Sequence, residues 1–406
     1  IKQLKGLDFS SPFFYSVLRY PKMNFNTLRK SIPQIITIIL FVSVIAYFWS
    51  NTYSNMEYYG MEFGYDFLKK AASFDIQFSL IEYDGSSPYY RAYFVGLLNT
   101  ILVSVLGIFF ATLIGLIIGI SRLSKNYLVS KLAEVYIELF RNIPLLLQLF
   151  FWYFAVLRAL PLPENAINFG DAIYVTIKGI YVPKFLWSNF NYFISSFIAA
   201  IIAGFIVFSY AKKQRENFGK HIPAFFISLG ILVIFASSGF IFGLVDLEFE
   251  YPEIYNLSET VFNFRGGVTI IPELLSLLFA LSLYTSTFIA ENVRAGILGV
   301  DKGQKEAASS LGFTPGLTLR LVVLPQALRI IIPPTTNQYL NLTKNSSLAA
   351  AIAYPDLVLV FAGTALNQTG RAIEIITITM ATYLTLSILI SIFMNWYNRR
   401  IAIKEK

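Results

Sequence analysis

The run Glu306-Ala307-Ala308-Ser309-Ser310-Leu311-Gly312, completed by Val322-Val323-Leu324-Pro325, is small and polar and lies between two long apolar segments. That setting predicts a loop at a membrane surface, and two helix starts are legible inside it. Asp301 stands three residues before Gln304, the capping-box spacing at which each side chain satisfies the other end's free N–H. Gly312 offers a helix stop tolerant of left-handed backbone angles. Thr314-Pro315 restarts a helix, with Thr as N-cap and Pro at the first helical position, where its missing N–H costs nothing. The spacing predicts helix, glycine corner, helix, with Ala307, Ala308 and Leu311 on one apolar face. An element of that shape suits a groove on a cytoplasmic partner.

Of 406 residues, 56% are hydrophobic and 17% aromatic, while 14% are charged. Soluble domains carry about 25% charged residues, so the chain reads as an all-α polytopic membrane protein. The net charge of +8 does not point to nucleic acid, because the positive residues sit in short loops beside apolar runs, as the positive-inside rule requires. Cys is absent and His221 is the only histidine. Disulfides, Cys/His zinc sites and any Ser-His or Cys-His catalysis not built on His221 are thereby excluded. His221 lies at a span junction and reads as a solvated interfacial side chain, so no catalytic residue and no metal site is expected. Nor is a cleavable leader, since the first apolar run follows a long mixed segment and lacks a small-residue cleavage site.

Residues 1–33 hold Lys2, Lys5, Arg19, Lys22, Arg29 and Lys30 against Asp8 alone, which predicts a cytoplasmic tail. A leading span follows at 34–50, with Trp49 as an interfacial aromatic at its far end. Residues 51–91 are rich in acids and aromatics, from Glu57 and Glu62 to Asp84, and read as an external excursion. The next span, about 93–120, carries Gly107, Ala111, Gly115 and Gly119 at four-residue spacing. Small residues on one face let another helix approach closely, within the subunit or between subunits.

A third span is expected at about 133–157, although its opening, Glu138 to Gln148, is unusually polar and includes Pro144. Glu138 and Arg141 can snorkel to the interface. Gln148 lies deeper, where an amide needs a partner. Residues 158–269 begin and end in external loops and include two further spans, about 191–211 and 222–244. These are joined by Lys212, Lys213, Arg215 and Lys220, a cytoplasmic signal; Asp246, Glu248, Glu250, Glu253 and Glu259 then mark an external loop. The sixth span, about 270–291, leads to Glu291 and Arg294, which can pair as i, i+3 neighbours. After the loop at 296–325 the chain crosses outward through about 363. It returns at about 372–397 and closes on Arg399, Arg400, Lys404 and Lys406, in a tail at 399–406. About eight spans result, with both termini cytoplasmic. No P-loop is present, so ATP is not expected on this chain.

The outward crossing holds the densest polar cluster. Asn337, Asn341, Lys344 and Asn345 recur at helical spacing on one face, with Gln338 beside them. A lysine at membrane depth costs about 2.5–3.5 kcal/mol, so it is expected to face a watery cavity or a partner. The face reads either as the lining of a translocation path or as a hydrogen-bonded seam between helices. Helices broken or begun by Pro-Pro at such depth are tolerated where they line a cavity.

The loop resembles the EAA loop of the membrane subunits of bacterial ABC importers. Glu306, Ala307, Ala308, Gly312, Leu324 and Pro325 match in register, and Val322 stands where Ile is usual. The segment around Glu138–Gln148 resembles the polar amino-acid uptake branch of that permease family, as does the helix end around Glu291 and Arg294, where Asn292 replaces an apolar residue. The resemblance implies a permease core at 92–157 and 270–398, interrupted by the insertion at 158–269. Long members of this kind resemble the larger permease of general L-amino-acid importers. The resemblance further implies an ATP-binding subunit dimer carrying ATP and Mg, a second, shorter permease, a periplasmic binding protein and an L-amino acid substrate, in the bacterial inner membrane. A secondary transporter or channel for small polar solutes shares the hydropathy but has no need of the glycine-cornered loop. It is also expected to show coupling carboxylates inside its spans.

Overall fold

Apolar runs with no water to bond their peptide groups close those bonds internally, and here they do so as helices. The computed structural model describes residues 25–58, 64–187, 190–220, 222–241, 247–258 and 261–401. The tail up to residue 24, Glu62, His221, Asp246, Glu259 and residues 402–406, on which expectations were placed above, lie outside the described residues. Residues up to Tyr65 form one unit and those from Asp66 onward another. The first unit contains α1 (Phe25–Tyr58), an apolar helix whose span-like part, Ile32–Asn55, buries nothing within the described structure.

In the second unit, α2 (Tyr89–Ser121) and α7 (Pro272–Leu298) pack along their lengths. Of the stripe expected from sequence, Gly115 and Gly119 lie in this seam, within the subunit. A Cβ at Gly115 would stand 2.7 Å from Ile289, and one at Gly119 would stand 2.7 Å from the Ala290 carbonyl. α10 (Leu324–Asn345) joins from the other side, with Leu342 against Gly107. α12 (Ala372–Ile401) packs on α10. The helix α10 neither breaks nor begins at Pro333-Pro334, as the sequence had suggested; both prolines lie inside it. Thr335 and Thr336 donate their hydroxyls to the carbonyls of Ile331 (2.7 Å) and Ile332 (3.0 Å).

The expected third span is two pieces. α3 (Tyr127–Asn142) meets α4 (Leu145–Phe150) at 102°, and α4 continues through a π turn, Phe151–Val156, to Ala159. Pro144 explains the break, because the residue before a proline avoids helical angles: Ile143 is extended, with ψ of 128°. α3 is amphipathic, with Leu128, Leu132, Val135 and Leu139 exposed along one side. Six helices among the described residues are long and apolar enough to cross a membrane, or seven if the bent pair is counted as one span. α6 (Ala224–Ile241) supplies the return partner of α5 (Phe190–Phe218).

The insertion holds strands that the hydropathy did not announce. β1 (Ile167–Phe169), β2 (Ile173–Thr176), β3 (Gly179–Val182) and β8 (Val268–Ile270) form one antiparallel sheet in that order. β4 (Lys184–Trp187) pairs with β5 (Leu247–Glu250), and β6 (Glu253–Ser258) with β7 (Val261–Arg265). Outgoing and returning chains thus meet in a β stalk on which the α5–α6 hairpin is mounted. Tyr181 stacks on Phe264 at 4.1 Å within it.

Candidate functional site

The loop folds as helix, corner, helix. α8 (Lys302–Ser310) is capped by the Asp301 carboxylate, which accepts from the Gly303 N–H at 2.6 Å. The capping box is only half closed: the Gln304 side-chain oxygen accepts from the Gln326 amide instead, at 3.4 Å, and ties α8 to the start of α10. Gly312 takes φ of +78°. Its N–H donates to Ser309 (2.9 Å) and the Phe313 N–H to Ala308 (3.1 Å), the paired bonds of a Schellman stop. Thr314 caps α9 (Pro315–Thr318), accepting from the Leu317 N–H at 3.5 Å. A π turn, Leu319–Val323, then delivers the chain to α10, with Leu324 exposed and Pro325 half-buried in its first turn.

Ala307, Ala308 and Leu311 do not share a face. Ala308 is buried against the loop itself, whereas Ala307 is exposed and Leu311 is 76% exposed. The reason is geometric: Leu311, whose N–H still bonds the Ala307 carbonyl at 3.1 Å, falls one turn after Ala307, while Ala308 is rotated about 100° away from it. The outward surface of the corner is therefore Glu306, Ala307 and Leu311. Glu291 and Arg294 pair at 3.2 Å near the end of α7, each partly exposed; such a pair contributes about 0.2–1 kcal/mol.

On α10, Asn337, Asn341 and Lys344 are exposed, while Gln338 and Asn345 are half-buried. Leu342 touches Gly107, near the middle of α2, so Lys344 lies near mid-depth of the helix bundle. Tyr339, on another side of α10, bonds the Thr112 hydroxyl at 2.8 Å. The exposed stripe is thus distinct from the side that packs.

Gln148 has a different setting. It is 3% exposed, and its amide donates to the carbonyls of Phe140 (2.7 Å) and Ile143 (2.9 Å), the open end of α3. It latches the 102° corner and does not face along the α10 stripe. Gln148→Leu leaves those part-buried acceptors without this donor and is expected to cost about 1–3 kcal/mol, read as a lower melting temperature of the detergent-purified complex.

Sequence reasoning missed a second polar knot. Asn99 of α2 donates to the carbonyls of Phe78 (2.9 Å) and Pro355 (2.8 Å). The Thr100 hydroxyl accepts from the Leu357 N–H at 3.0 Å, and the Asp356 carboxylate accepts from Leu359 (2.9 Å) and Tyr383 (3.4 Å). The knot pins the segment around Phe78 and a half-helix, Val358–Ala365 continued by α11 (Leu366–Thr369), to α2. Its partners lie far apart in the chain, so no local spacing announces them; the one local signal is an asparagine within an apolar run.

The family model described as "Binding-protein-dependent transport system inner membrane component" matches residues 217–403. The chain is 47% identical over 382 residues to a candidate amino-acid ABC transporter permease of Escherichia coli, covering 94% of this chain and 96% of that one. It is 46% identical to a general L-amino acid transport system permease protein of Rhizobium johnstonii, covering 93% of each. A glutamate/glutamine/aspartate/asparagine transport system permease protein of Rhodobacter capsulatus is 39% identical, with 96% of this chain and 97% of that one covered. These likenesses disfavour a secondary transporter or channel. With identity sustained over nearly its whole length, the chain belongs to the amino-acid ABC transporter permeases, the many-span inner-membrane subunits of ATP-driven importers.

Proposed function

We propose that this chain is the larger permease of a general L-amino-acid importer, that the loop at 296–325 docks on the ATP-binding subunit, and that the α10 face lines the route of the substrate. The observation that carries the reading is the loop corner. It offers Ala307 and Leu311, exposed, beside the Glu306 carboxylate, on a scaffold closed by its own caps. An exposed leucine on a short rigid helix is the knob that a groove on another protein accepts. The loop charges support a cytoplasmic side for this corner and for both chain ends. ATP and Mg belong to a dimer of the partner subunit, which performs the hydrolysis; this chain binds neither and catalyses nothing. A shorter permease completes a heterodimer, and a periplasmic binding protein delivers the L-amino acid.

Coupling has a thermodynamic condition. Nucleotide must bind the outward-facing arrangement better than the inward one, or it shifts nothing. The loop meets this condition by passing the separation of the ATPase halves to α7 and α10, the two helices it joins. Purification tests the assembly: the chain should retain an ATPase, and the complex should hydrolyse ATP faster when loaded binding protein is added. Loss of the ATPase under mild detergent, with no such stimulation, would remove the reading.

The exposed stripe Asn337, Asn341 and Lys344 supports the path. Lys344 would transiently attract a substrate carboxylate, and the asparagines would replace the water the substrate sheds. Lys344→Ala with Asn341→Ala is expected to lower uptake about tenfold or more, equivalent to about 1.4 kcal/mol, in a complex that still assembles. Unchanged transport by the assembled double variant would reduce the stripe to a seam.

A further inference from the structure

Arg329, in the second turn of α10, holds a guanidinium with no carboxylate to answer it. Its Nε and Nη2 are enclosed by protein, and neither has a hydrogen-bond partner among the described residues. These two nitrogens form one edge of the guanidinium, the pair of parallel donors that takes a carboxylate or a phosphate by two oxygens at once. Other arginines of the bundle are answered: Arg294 pairs with Glu291 at 3.2 Å, Arg122 with Glu134 at 3.3 Å, and Arg400 lies over the Trp396 ring at 4.9 Å. A buried donor on a charged group is the costliest kind to leave open. We propose that this edge anchors a phosphate site, and that the phosphate is the headgroup of an anionic phospholipid in the leaflet that borders the loop.

The position suits a headgroup. Arg329 stands one turn before Pro333 and continues, at 4-3-4 spacing, the row Pro333, Thr336 and Leu340 that faces Met394 and Asn398 of α12. Side chains on a helix lean toward its N-terminus, which for α10 is the loop end. From Leu324 to Arg329 the helix rises about 7.5 Å, so the fork sits just inside that end. α12 marks the same end of the bundle as a membrane interface, with Trp396 half exposed beneath the Arg400 guanidinium.

The surroundings favour a lipid over another anion. Arg320, Arg399 and Arg400 are exposed at this end and draw anionic headgroups toward it. Leu389 and Phe393 are exposed on the flank of α12, an apolar track for an acyl chain. A carboxylate from a partner subunit would have to enter between two membrane helices, whereas a phosphate arrives there from the bilayer itself. A lipid held at this point would tie α10 to α12 at the root of the loop. The inference goes beyond the importer reading and makes no use of the substrate path.

The test titrates dihexanoyl phosphatidylglycerol into the complete complex in detergent and counts bound lipid and subunits together by native mass spectrometry. Arg329→Gln should bind the lipid about tenfold or more weakly, with the same subunits present. Arg329→Lys keeps the charge without the fork and should recover only part of the binding. Arg400→Gln, which removes a surface charge at the same end, should change binding little. Equal binding by wild type and Arg329→Gln would overturn the site, as would loss in Arg400→Gln as large as that in Arg329→Gln. If Arg329→Gln does not assemble, the lysine variant decides: wild-type affinity overturns the site and weaker binding supports it. Displacement of the lipid by millimolar inorganic phosphate would assign the fork to a soluble anion and overturn the lipid. Loss of a partner subunit from Arg329→Gln with lipid binding unchanged would give the fork to that subunit's carboxylate and overturn it too. The subunit count of the wild-type complex tests the importer reading separately.

Discussion

Gly119→Val is expected to leave little or no assembled transporter in the membrane. A Cβ at this position would lie 2.7 Å from the Ala290 carbonyl oxygen and 2.8 Å from the Val293 Cβ. Neither neighbour is the flexible end of a side chain. Relief therefore requires α2 and α7 to move apart, and the same seam is closed one turn away by Gly115, whose Cβ would meet Ile289 at 2.7 Å and the Ser286 carbonyl at 3.0 Å. Inserting methyl groups into a close-packed contact costs about 1–3 kcal/mol where the surroundings can shift, and more where they are backbone. Domains hold only about 5–15 kcal/mol in total, and lipid replaces lost helix contacts at little cost. Gly107→Ala is the control, since its Cβ would meet only the Leu342 methyl at 3.1 Å, which can turn aside. Full-length complex recovered by gel filtration measures both variants. Normal recovery of Gly119→Val would show that the seam opens more easily than its geometry allows.

That seam was legible because a four-residue spacing of small residues is a local pattern with one geometric meaning. The loop was legible for the same reason, down to its glycine stop and two of its caps. What escaped was set by distance or by direction. Hydropathy registers an apolar run without registering that it turns, so residues 133–157 looked like one crossing; Pro144 was the visible warning, and the 102° corner is its consequence. Gln148 was rightly placed at depth, but depth does not say which carbonyls an amide will meet. The strands of the insertion were hidden by length, at three to six residues each, and β4 pairs with β5 across two intervening apolar helices. A turn signal was nonetheless present: Gly266-Gly267, both at positive φ, joins β7 to β8, strands of two different sheets.

Gly312→Val is expected to separate assembly from transport. At Gly312 an added Cβ would find nothing within 4 Å, so packing plays no part in the outcome. The cost is conformational. At φ of +78° an L-residue loses about 1–2 kcal/mol relative to glycine, and a β-branched side chain loses more. α8 has nine residues, too few to hold its shape without its stop, since isolated helices shorter than about 12–15 residues are marginal. The Schellman bonds from Gly312 and Phe313 would open, and the outward set of Glu306, Ala307 and Leu311 would lose its fixed geometry. The membrane helices, which Gly312 does not touch, should still assemble, while uptake falls about tenfold or more and ATP hydrolysis ceases to respond to loaded binding protein. Gly312→Asn separates shape from mere substitution, because asparagine enters the left-handed region at lower cost than any other side chain. It should restore most of the uptake that valine removes. Wild-type uptake by the valine variant would sink the docking role of the corner, and equal loss by asparagine would show that the corner's backbone angle is not what the partner reads.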